Sequence, residues 1–327
     1  MYSVDKIIEN IPFALTETDI SVGENSIKLH RGKVRDTYII DETRVLITSD
    51  RQSAFDRDIA SVPFKGQVLN RIAKFWFDKT SDIVANHVIN LPDSNALVVK
   101  TAKVFPIEFV VRAYITGSTS TSSWVNYEKG VRNFCGHILP EGLRKNQKLE
   151  KIIVTPTTKP EVGHDENISR EEIIKRGLMT EQEYDFVADK ALQIFKRGQE
   201  HCVKNGLILV DTKYEFGKLK NGEIIIVDEV HTPDSSRFWD AETYSESFAK
   251  GEDPKSFDKD VLRRWYSNQC DPYAEGDLPK APKSLIGKLS STYMEAYEKI
   301  TGEEFIPEVS EHPNTRIQKN LEAYFKK

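Results

Sequence analysis

The sequence predicts an α+β protein built on antiparallel sheet, and three of its features carry that prediction. Short strand-type runs fill the first 115 or so residues, and an Asn221-Gly222 pair separates two strand-type runs further on. Such a pair between apolar runs is typical of a β-hairpin. Helical, charged pieces follow residue 240. A chain of 327 residues is long enough for two domains.

We expect two domains and an appendage. Residues 1–115 would form a β-rich N-terminal domain, residues 116–240 a second domain, and residues 241–327 a helical appendage packed on the second domain. The first boundary lies at the turn-type run after Ile115, and the second lies where prolines begin to separate short charged pieces.

The N-terminal domain contains short strands and one helix. Apolar residues from Val68 to Trp76 recur at helical spacing, which predicts a helix over 67–80. Asp41-Glu42-Thr43 predicts a hairpin turn between two strands. The predicted strands cover 27–30, 34–40, 44–48, 96–100 and 107–115.

The second domain contains clearer helix signals. A turn at 116–120 leads into a helix through Glu128, and 130–168 has the composition of loops with short strands. Serine or threonine followed three residues later by glutamate is the spacing of a capping box, and it occurs at Ser169 and at Thr180. The second of these opens the longest helix, which should end at Asn205-Gly206. The hairpin strands cover 207–219 and 223–230.

Composition excludes several classes of protein. With 46 basic and 51 acidic residues the net charge is −5, which argues against binding to duplex nucleic acid. No apolar run has the ~18–20 residues that a membrane helix needs, and the N-terminus shows no signal-type stretch. The three cysteines predict neither a disulfide framework nor a paired metal site. We therefore expect a cytoplasmic protein with neither nucleic acid nor membrane as partner.

The Asn-Gly hairpin predicts a cluster of charges on one strand face. A two-residue loop pairs Glu215 with Asp228, and strand periodicity puts Asp211 and Lys213 on the same face as Glu215. Two opposed carboxylates repel each other, so a cation should lie between them. Lys213 could supply it, or Mg²⁺, which favours one or two carboxylates plus phosphate oxygens. A solvated edge hairpin remains open, and a bulge at Gly217 would separate the two acids.

Two other regions have the chemistry of anion sites. Arg31-Gly32-Lys33-Val34-Arg35 lies between two predicted strands, where a basic glycine turn can bind phosphates or can be a basic tip without a ligand. Residues 229–237 place an acid, hydroxyls and Arg237 in one turn, which is either an ordinary turn or an anion clamp.

The strand before Gly117 carries charges in an apolar setting. Glu108 and Arg112 alternate onto one face, and buried charges demand partners. Four residues apart on a strand they lie roughly 13 Å from each other, so they cannot pair. Gly117-Ser118 then leads into a helix, whose N-terminus favours a phosphate that Arg112 and Ser118 would share.

These stretches together resemble the SAICAR synthetase family. Residues 105–118 and 209–217 resemble its two signatures, and the 31–33 turn and the 228–237 segment fit over about residues 25–240. The resemblance implies an N-terminal sheet domain like a kinase small lobe and an ATP-grasp-like second domain. It implies an ATP-dependent ligase of purine biosynthesis that joins CAIR, a carboxylated aminoimidazole ribotide, to L-aspartate. The products would be SAICAR, ADP and phosphate, formed through an acyl phosphate on CAIR.

The resemblance also implies residue roles. Glu215 and Asp228 would hold Mg²⁺, and Asp211 and Lys213 would line the reaction centre. CAIR and aspartate would be bound by Asp50, Ser53, Arg112, Gly117, Ser118 and Arg237. ATP would be bound by Arg31, Gly32, Lys33, Val34, Arg35, Val104, Glu108 and Lys159.

The loop at 49–56 and the segment 241–327 resemble the longer, fungal-type branch of the family. That branch suggests a monomer, whereas the shorter branch suggests a dimer. The loop differs from that of the shorter branch, and this difference affects the roles given to Asp50 and Ser53. A kinase is disfavoured because no HRD-like or DFG-like run is present. A degenerate regulator should have lost a metal ligand or a substrate arginine, but Glu215, Asp228, Arg112 and Arg237 are all present. An RNA-binding protein should show basic and aromatic patches, and the acidic net charge argues against that role.

Overall fold

The computed structural model describes residues 2–21, 28–40, 42–55, 57–159, 165–257, 259–274, 276–310 and 312–326. The α-helices are α1 (Val4–Glu9), α2 (Lys65–Lys79), α3 (Ser123–Glu128), α4 (Arg170–Lys175), α5 (Glu181–Lys204), α6 (Tyr244–Lys250), α7 (Asp260–Gln269), α8 (Lys283–Thr301) and α9 (Pro313–Phe325). A 3₁₀ turn covers Ile11–Phe13.

The strands of the first hundred residues are β1 (Lys28–Arg31), β2 (Arg35–Ile40), β3 (Thr43–Thr48), β4 (Arg51–Ala54), β5 (Arg57–Ser61), β6 (Val88–Asp93) and β7 (Ala96–Lys100). The later strands are β8 (Lys103–Ile115), β9 (Asn133–Phe134), β10 (His137–Ile138), β11 (Gln147–Val154), β12 (Thr157–Thr158), β13 (Leu207–Lys218), β14 (Ile224–Val227) and β15 (Ser236–Asp240). Among the described residues the named strands pair only in antiparallel fashion, so the predicted α+β class is confirmed.

The first of two compact units comprises Met1–Phe75, His87–Thr101 and Phe257–Lys327. Its sheet has the order β1-β2-β3-β7-β6, and β4 and β5 form a separate hairpin. The predicted strands 34–40, 44–48 and 96–100 agree with β2, β3 and β7 within a residue or so. Ile27 and Asp41 of the predicted strand and turn lie outside the described residues.

Helices α7, α8 and α9 belong to this first unit, whereas α6 belongs to the second unit, so the predicted packing of residues 241–327 on the second domain differs from the structure for residues 257–327. Ile317 and Leu321 of α9 are fully buried in one cluster with Val45 and Ile47 of β3. Arg316 of α9 also donates to Asp93 at 3.0 Å. The segment therefore completes the core of the first sheet, since the apolar stripe of α9 covers residues that would otherwise be exposed to water.

The second unit comprises Trp76–Asn86 and Ala102–Ser256. Its sheet has the order β11-β8-β13-β14, with β12 paired to β8 and β15 paired to β13. The long α5 packs against β13 and β8 through buried apolar residues such as Ile194 and Phe195. Thr180 and Glu183 form a full capping box at its start, as predicted, and it ends before Asn205.

The hairpin register differs by one residue from the prediction. Glu215 pairs with Val227 rather than Asp228, and Gly217 pairs with Ile225. The loop accounts for the shift: Gly222 N–H donates to Leu219 O at 2.9 Å, and Gly222 has a φ of 88°. This is a three-residue loop with glycine in the left-handed region, not the two-residue turn in which Asn221 would also need positive φ.

Among the residues that the structure describes, none of the helices combines the length and apolar character that crossing a membrane requires.

Candidate functional site

The central ladder of the second unit carries the predicted charged residues on neighbouring positions. Asp211 of β13 pairs with Arg112 of β8, and Glu215 of β13 pairs with Glu108. Because alternate side chains share a face, both acids of β13, Lys213 between them and both charged residues of β8 project to one side of the sheet. The prediction that Glu108 and Arg112 do not pair with each other is confirmed, since each finds its partner on β13.

The first feature on this face is a group that we call the acid–lysine cluster: Lys159, Lys213, Glu108, Glu215 and Asp228. Lys213 Nζ lies 2.6 Å from Glu215 Oε1, 3.0 Å from Glu108 Oε1 and 3.7 Å from Asp228 Oδ2. Lys159 Nζ contacts the other oxygen of Glu215. Three carboxylates thus surround one ammonium group, and the cluster carries one net negative charge with all groups ionised.

Asp228 joins the cluster although it does not face Glu215 in the ladder. It follows the last residue of β14 with a φ of 63°, in the left-handed region that aspartate tolerates better than most residues. This local turn of the backbone brings its carboxylate within ion-pair distance of Lys213. The predicted proximity of the two acids therefore arises from a strand end, not from the opposed pairing on which it was argued.

The protonation of Lys213 reflects its neighbours. Burial alone lowers the pKa of the Lys213 ammonium, but the charges of Glu215, Glu108 and Asp228 outweigh burial and raise it well above its usual range. Lys213 therefore stays positively charged at neutral pH. As an ammonium group it can pair with an anionic group.

The cluster also has the donor chemistry of a hard divalent cation. Carboxylate oxygens are the protein ligands that Mg²⁺ prefers, together with phosphate oxygens and water. Glu215 is nearly buried, and both of its oxygens already contact positive charge. Within the described residues no group of three or more histidine, cysteine or acidic side chains has metal-site geometry. Glu215 and Asp228 have the oxygen donors that such a cation takes, and a bound phosphate would supply further ones.

The second feature on this face is an arginine pair that shares one acid. Asp211 Oδ2 accepts from Arg112 Nη1 at 3.0 Å and from Arg237 Nη1 at 2.6 Å. One carboxylate between two guanidinium groups leaves one net positive charge. Burial lowers the pKa of Arg112, and Asp211 opposes that effect. The pair has the chemistry of an anion site, because guanidinium groups match phosphate oxygens geometrically.

Gly117 lies beside this pair, in the loop between β8 and α3. It has a φ of 103°, and a Cβ added there would lie 2.4 Å from Ser122 Cβ and 3.3 Å from Arg237 Nη2. Only glycine fits this position. As predicted, the turn leads into a helix that ends at Glu128. However, α3 begins only at Ser123 and Ser118 is exposed, so the helix N-terminus does not lie at Gly117-Ser118.

The segment before Arg237 is hydrogen-bonded to β13. Ser235 O accepts from Lys213 N–H at 3.0 Å, and Thr232 Oγ1 donates to Glu229 Oε2 at 2.6 Å. Arg237 itself lies in β15 and pairs with Asp211, so it is a strand residue and not the turn residue that the sequence suggested.

The remaining sequence-predicted residues of the second unit are Val104 and Lys159, which lie in or directly after strands of its sheet. Val104 of β8 pairs with Gly217 of β13, and its side chain is partly exposed. Lys159 follows β12 directly. The sequence reasoning missed Thr155 and Thr157: Thr155 Oγ1 accepts from Arg112 Nε at 2.8 Å, and Thr157 Oγ1 donates to Glu108 Oε2 at 3.2 Å. Their hydroxyls in the run before Lys159 were the signal that could have identified them.

In the first unit the basic glycine turn forms the tip of the β1–β2 hairpin, as predicted. Gly32 N–H donates to Arg35 O at 2.8 Å, and a Cβ at Gly32 would lie 2.8 Å from that oxygen. Arg31 and Lys33 are exposed, whereas Arg35 donates to Thr48 Oγ1 at 3.1 Å. We call residues Gly32, Lys33 and Val34 the hairpin tip.

Asp50 and Ser53, also in the first unit, differ in their surroundings. Asp50 is buried and accepts from Leu15 N–H at 2.8 Å and from Gly66 N–H at 2.9 Å. Burial raises the pKa of Asp50 to about 6, against the two backbone hydrogen bonds that lower it. Ser53 lies in β4 and pairs with Asp58 of β5.

A family model described as SAICAR synthetase matches residues 28–279. A Legionella pneumophila (strain Paris) protein named phosphoribosylaminoimidazole-succinocarboxamide synthase is 51% identical over 315 residues, covering 96% of this chain and 99% of that protein. That bacterial match extends into residues 241–327, so this segment is not confined to fungal-type chains.

Solved structures are similar to the chain as well. A SAICAR-synthase from Saccharomyces cerevisiae complexed with SAICAR is 34% identical with a TM-score of 0.76, covering 90% of this chain and 100% of that one. A SAICAR synthetase in complex with ADP is 27% identical with a TM-score of 0.66, covering 86% of this chain and 100% of that one.

Proposed function

The chain belongs to the SAICAR synthetase family, and from that premise we propose that it joins CAIR and L-aspartate to give SAICAR, ADP and phosphate. It is an ATP-dependent, amide-forming ligase of purine biosynthesis. Relatives whose names and titles carry this activity, SAICAR or ADP support the proposal.

The observation that carries the proposal is the pairing of two oppositely charged features on one sheet face. The acid–lysine cluster and the arginine pair both arise from the β8–β13 ladder, where Glu215 pairs with Glu108 and Asp211 pairs with Arg112. A ligase that uses ATP and a sugar phosphate must hold several anionic groups close together. One feature suits a cation-bound triphosphate, and the other suits a substrate phosphate.

The reaction has two steps. An oxygen of the CAIR carboxylate attacks the γ-phosphorus of ATP, the bond to the bridging oxygen breaks, and ADP leaves with that electron pair. The amine of aspartate then attacks the acyl carbon, the carbon–oxygen bond to phosphate breaks, and the nitrogen loses a proton. Lys213 stays charged, so it holds the carboxylate that is activated and offsets the charge that develops on it.

Mg²⁺ belongs to the proposal as the cation of the acid–lysine cluster. Glu215 and Asp228 would hold it, and when bound it supplies charge neutralisation for the ATP phosphates. The two oxygens of Glu215 contact Lys213 and Lys159, so these lysines orient the carboxylate.

Arg112 and Arg237 bind the phosphate of CAIR, with the loop at Gly117 and Ser118 closing over it. Asp211 orients both guanidinium groups, because each donates to the same carboxylate oxygen. The absence of a Cβ at Gly117 supports this role, since it lets the loop backbone approach Arg237 closely.

Several residues bind the nucleotide. The hairpin tip with Arg31 and Arg35 binds phosphates, and Val104 contacts adenine through its backbone. Lys159 and Glu108 also bind ATP. Asp50 and Ser53 bind CAIR or aspartate. The exposed basic side chains at the tip support the phosphate role.

We also propose a cytoplasmic monomer. Three cysteines without a disulfide support a reducing compartment. Light scattering coupled to size exclusion would test the monomer, and a mass near 75 kDa, about twice the 37.4 kDa of one chain, would contradict it.

The activity is tested by ATP consumption in the presence of CAIR, aspartate and Mg²⁺. We expect ADP release only when both other substrates are present, with SAICAR formed in equal amount. Chelation of Mg²⁺ should stop the reaction, and added Mg²⁺ should restore it. Release of ADP with CAIR or aspartate omitted would contradict the ligase assignment.

A further inference from the structure

Ser49, which lies between β3 and β4, and Arg51, the first residue of β4, bind the carbonyl groups of the hairpin tip. Gly32 O accepts from Arg51 Nη2 at 3.0 Å, and Lys33 O accepts from Arg51 Nε at 3.3 Å. Val34 O accepts from Ser49 N–H at 2.9 Å and from Ser49 Oγ at 2.7 Å. All three carbonyl oxygens of the tip are therefore turned toward the body of the first unit.

Arg51 is itself held by a buried acid. Its Nη2 lies 2.6 Å from Asp36 Oδ1, and Asp36 is fully buried and accepts from Thr18 Oγ1 at 2.8 Å. A further hydrogen bond runs from Arg51 Nη1 to Thr16 O. The Arg51 side chain is 12% exposed. Its donors are thus directed at protein oxygens and not at solvent.

Carbonyl direction matters for a loop that binds an anion. A carbonyl oxygen carries partial negative charge and repels phosphate, so anion-binding loops direct their carbonyl groups away from the ligand. With the three carbonyl oxygens bound from behind, an approaching phosphate meets the basic side chain of Lys33 instead. Neither Ser49 nor Arg51 needs to touch the phosphate for this effect.

We propose that Arg51 is a positioning residue for nucleotide phosphates: it holds the carbonyl groups of Gly32 and Lys33 inward so that the tip is receptive to an anion. The inference rests on the proposed function, because it takes the tip to bind ATP. Asp36 contributes by fixing the guanidinium group.

Replacing Arg51 by lysine distinguishes a positioning role from direct contact with the phosphate. Lysine is a compact point charge that binds phosphate well, so Arg51→Lys would preserve a direct contact. A single ammonium cannot reach the separate oxygens that the planar guanidinium fork of Arg51 bonds, so the same change removes the positioning role.

The test compares Arg51→Lys with Arg57→Lys. Arg57 also donates to backbone carbonyl groups of the first unit, those of Ala274 at 3.2 Å and Gly276, but not to the tip. Affinity for ADP is measured by titration calorimetry, and affinity for adenosine by displacement of ADP. We expect Arg51→Lys to bind ADP about tenfold more weakly, as the loss of a few hydrogen bonds to the tip allows. Its adenosine affinity should stay within about twofold of the original, and Arg57→Lys should bind both ligands normally.

Two results would overturn the inference alone: unchanged ADP affinity in Arg51→Lys, or an equal loss for adenosine and ADP. A wild-type chain that binds no ADP would overturn the proposed function as well. If Arg51→Lys does not fold, Asp36→Asn takes its place. That variant keeps Arg51 but removes the charge that fixes it, and the same selective loss for ADP is expected.

Discussion

We expect Glu215→Gln to lower turnover strongly while lowering the free energy of unfolding only a little. The substitution keeps the shape of the side chain but removes its charge, so Lys213 loses its nearest carboxylate, at 2.6 Å, and Lys159 loses its partner. Lys213 keeps Glu108 at 3.0 Å and Asp228 at 3.7 Å. The side chains of Lys213 and Lys159 are 28% and 43% exposed, so water compensates part of the lost interaction.

From these contacts we expect the free energy of unfolding to fall by only about 1–2 kcal/mol. A domain with a typical stability of roughly 5–15 kcal/mol stays folded after that loss. Turnover should fall at least about 100-fold, because the variant loses a ligand of the cation that neutralises the ATP phosphates. The effect on rate is then far larger than the effect on folding.

The assay is steady-state SAICAR formation at saturating substrates, together with thermal and urea unfolding followed by circular dichroism. Glu183→Gln is the matched control. Glu183 also pairs with a lysine of β13, Lys218, and a glutamine can still accept from Thr180 N–H in the capping box. Turnover of Glu215→Gln within about fivefold of the control would refute the reasoning.

Three further predictions follow from other parts of the molecule. Arg112→Ala should raise KM for CAIR and leave KM for ATP unchanged in initial-rate measurements; the opposite pattern would contradict its assignment to the CAIR phosphate. Gly117→Ala should lower turnover and cost more stability than Gly142→Ala, whose φ is also positive but whose added Cβ meets no described atom within 4 Å; equal effects in both assays would contradict the steric argument. Burial lowers the pKa of His231 to about 3 from 6.5, so the unfolded chain binds the proton first and stability falls as pH drops below 6.5. That linkage amounts to about 3 kcal/mol between pH 6.5 and pH 4, and urea unfolding of His231→Gln should lack it.

Much of the second unit could be predicted from local pattern. The charged positions of β8 and β13 alternate with apolar ones, and that alternation alone puts Asp211, Lys213 and Glu215 on one face. The partners of Glu108 and Arg112 could not be predicted, because pairing between β8 and β13 joins residues about a hundred positions apart. Thr155 and Thr157 also bond to distant residues, Arg112 and Glu108, which lie 43 and 49 positions away in the chain.

The hairpin register shows where local pattern is insufficient. Asn221-Gly222 is compatible with a two-residue turn and with a three-residue loop, and the two differ by one residue in register. Asp228 reaches Lys213 only because its backbone is left-handed at the end of β14. The proximity of the two acids was therefore predicted correctly from an incorrect pairing.

The amino-acid sequence by itself determined the α+β class, the order of most strands and helices, and the family with its charged motifs. These depend on periodicity, turn residues and short motifs, which are properties of neighbouring residues. Only the tertiary structure decided that α9 closes the core of the first sheet, that Arg51 binds the carbonyl groups of the hairpin tip, and that Arg112 and Arg237 share Asp211. Each of these contacts joins segments distant in the chain, and burial and charge pairing select it only once both segments are folded.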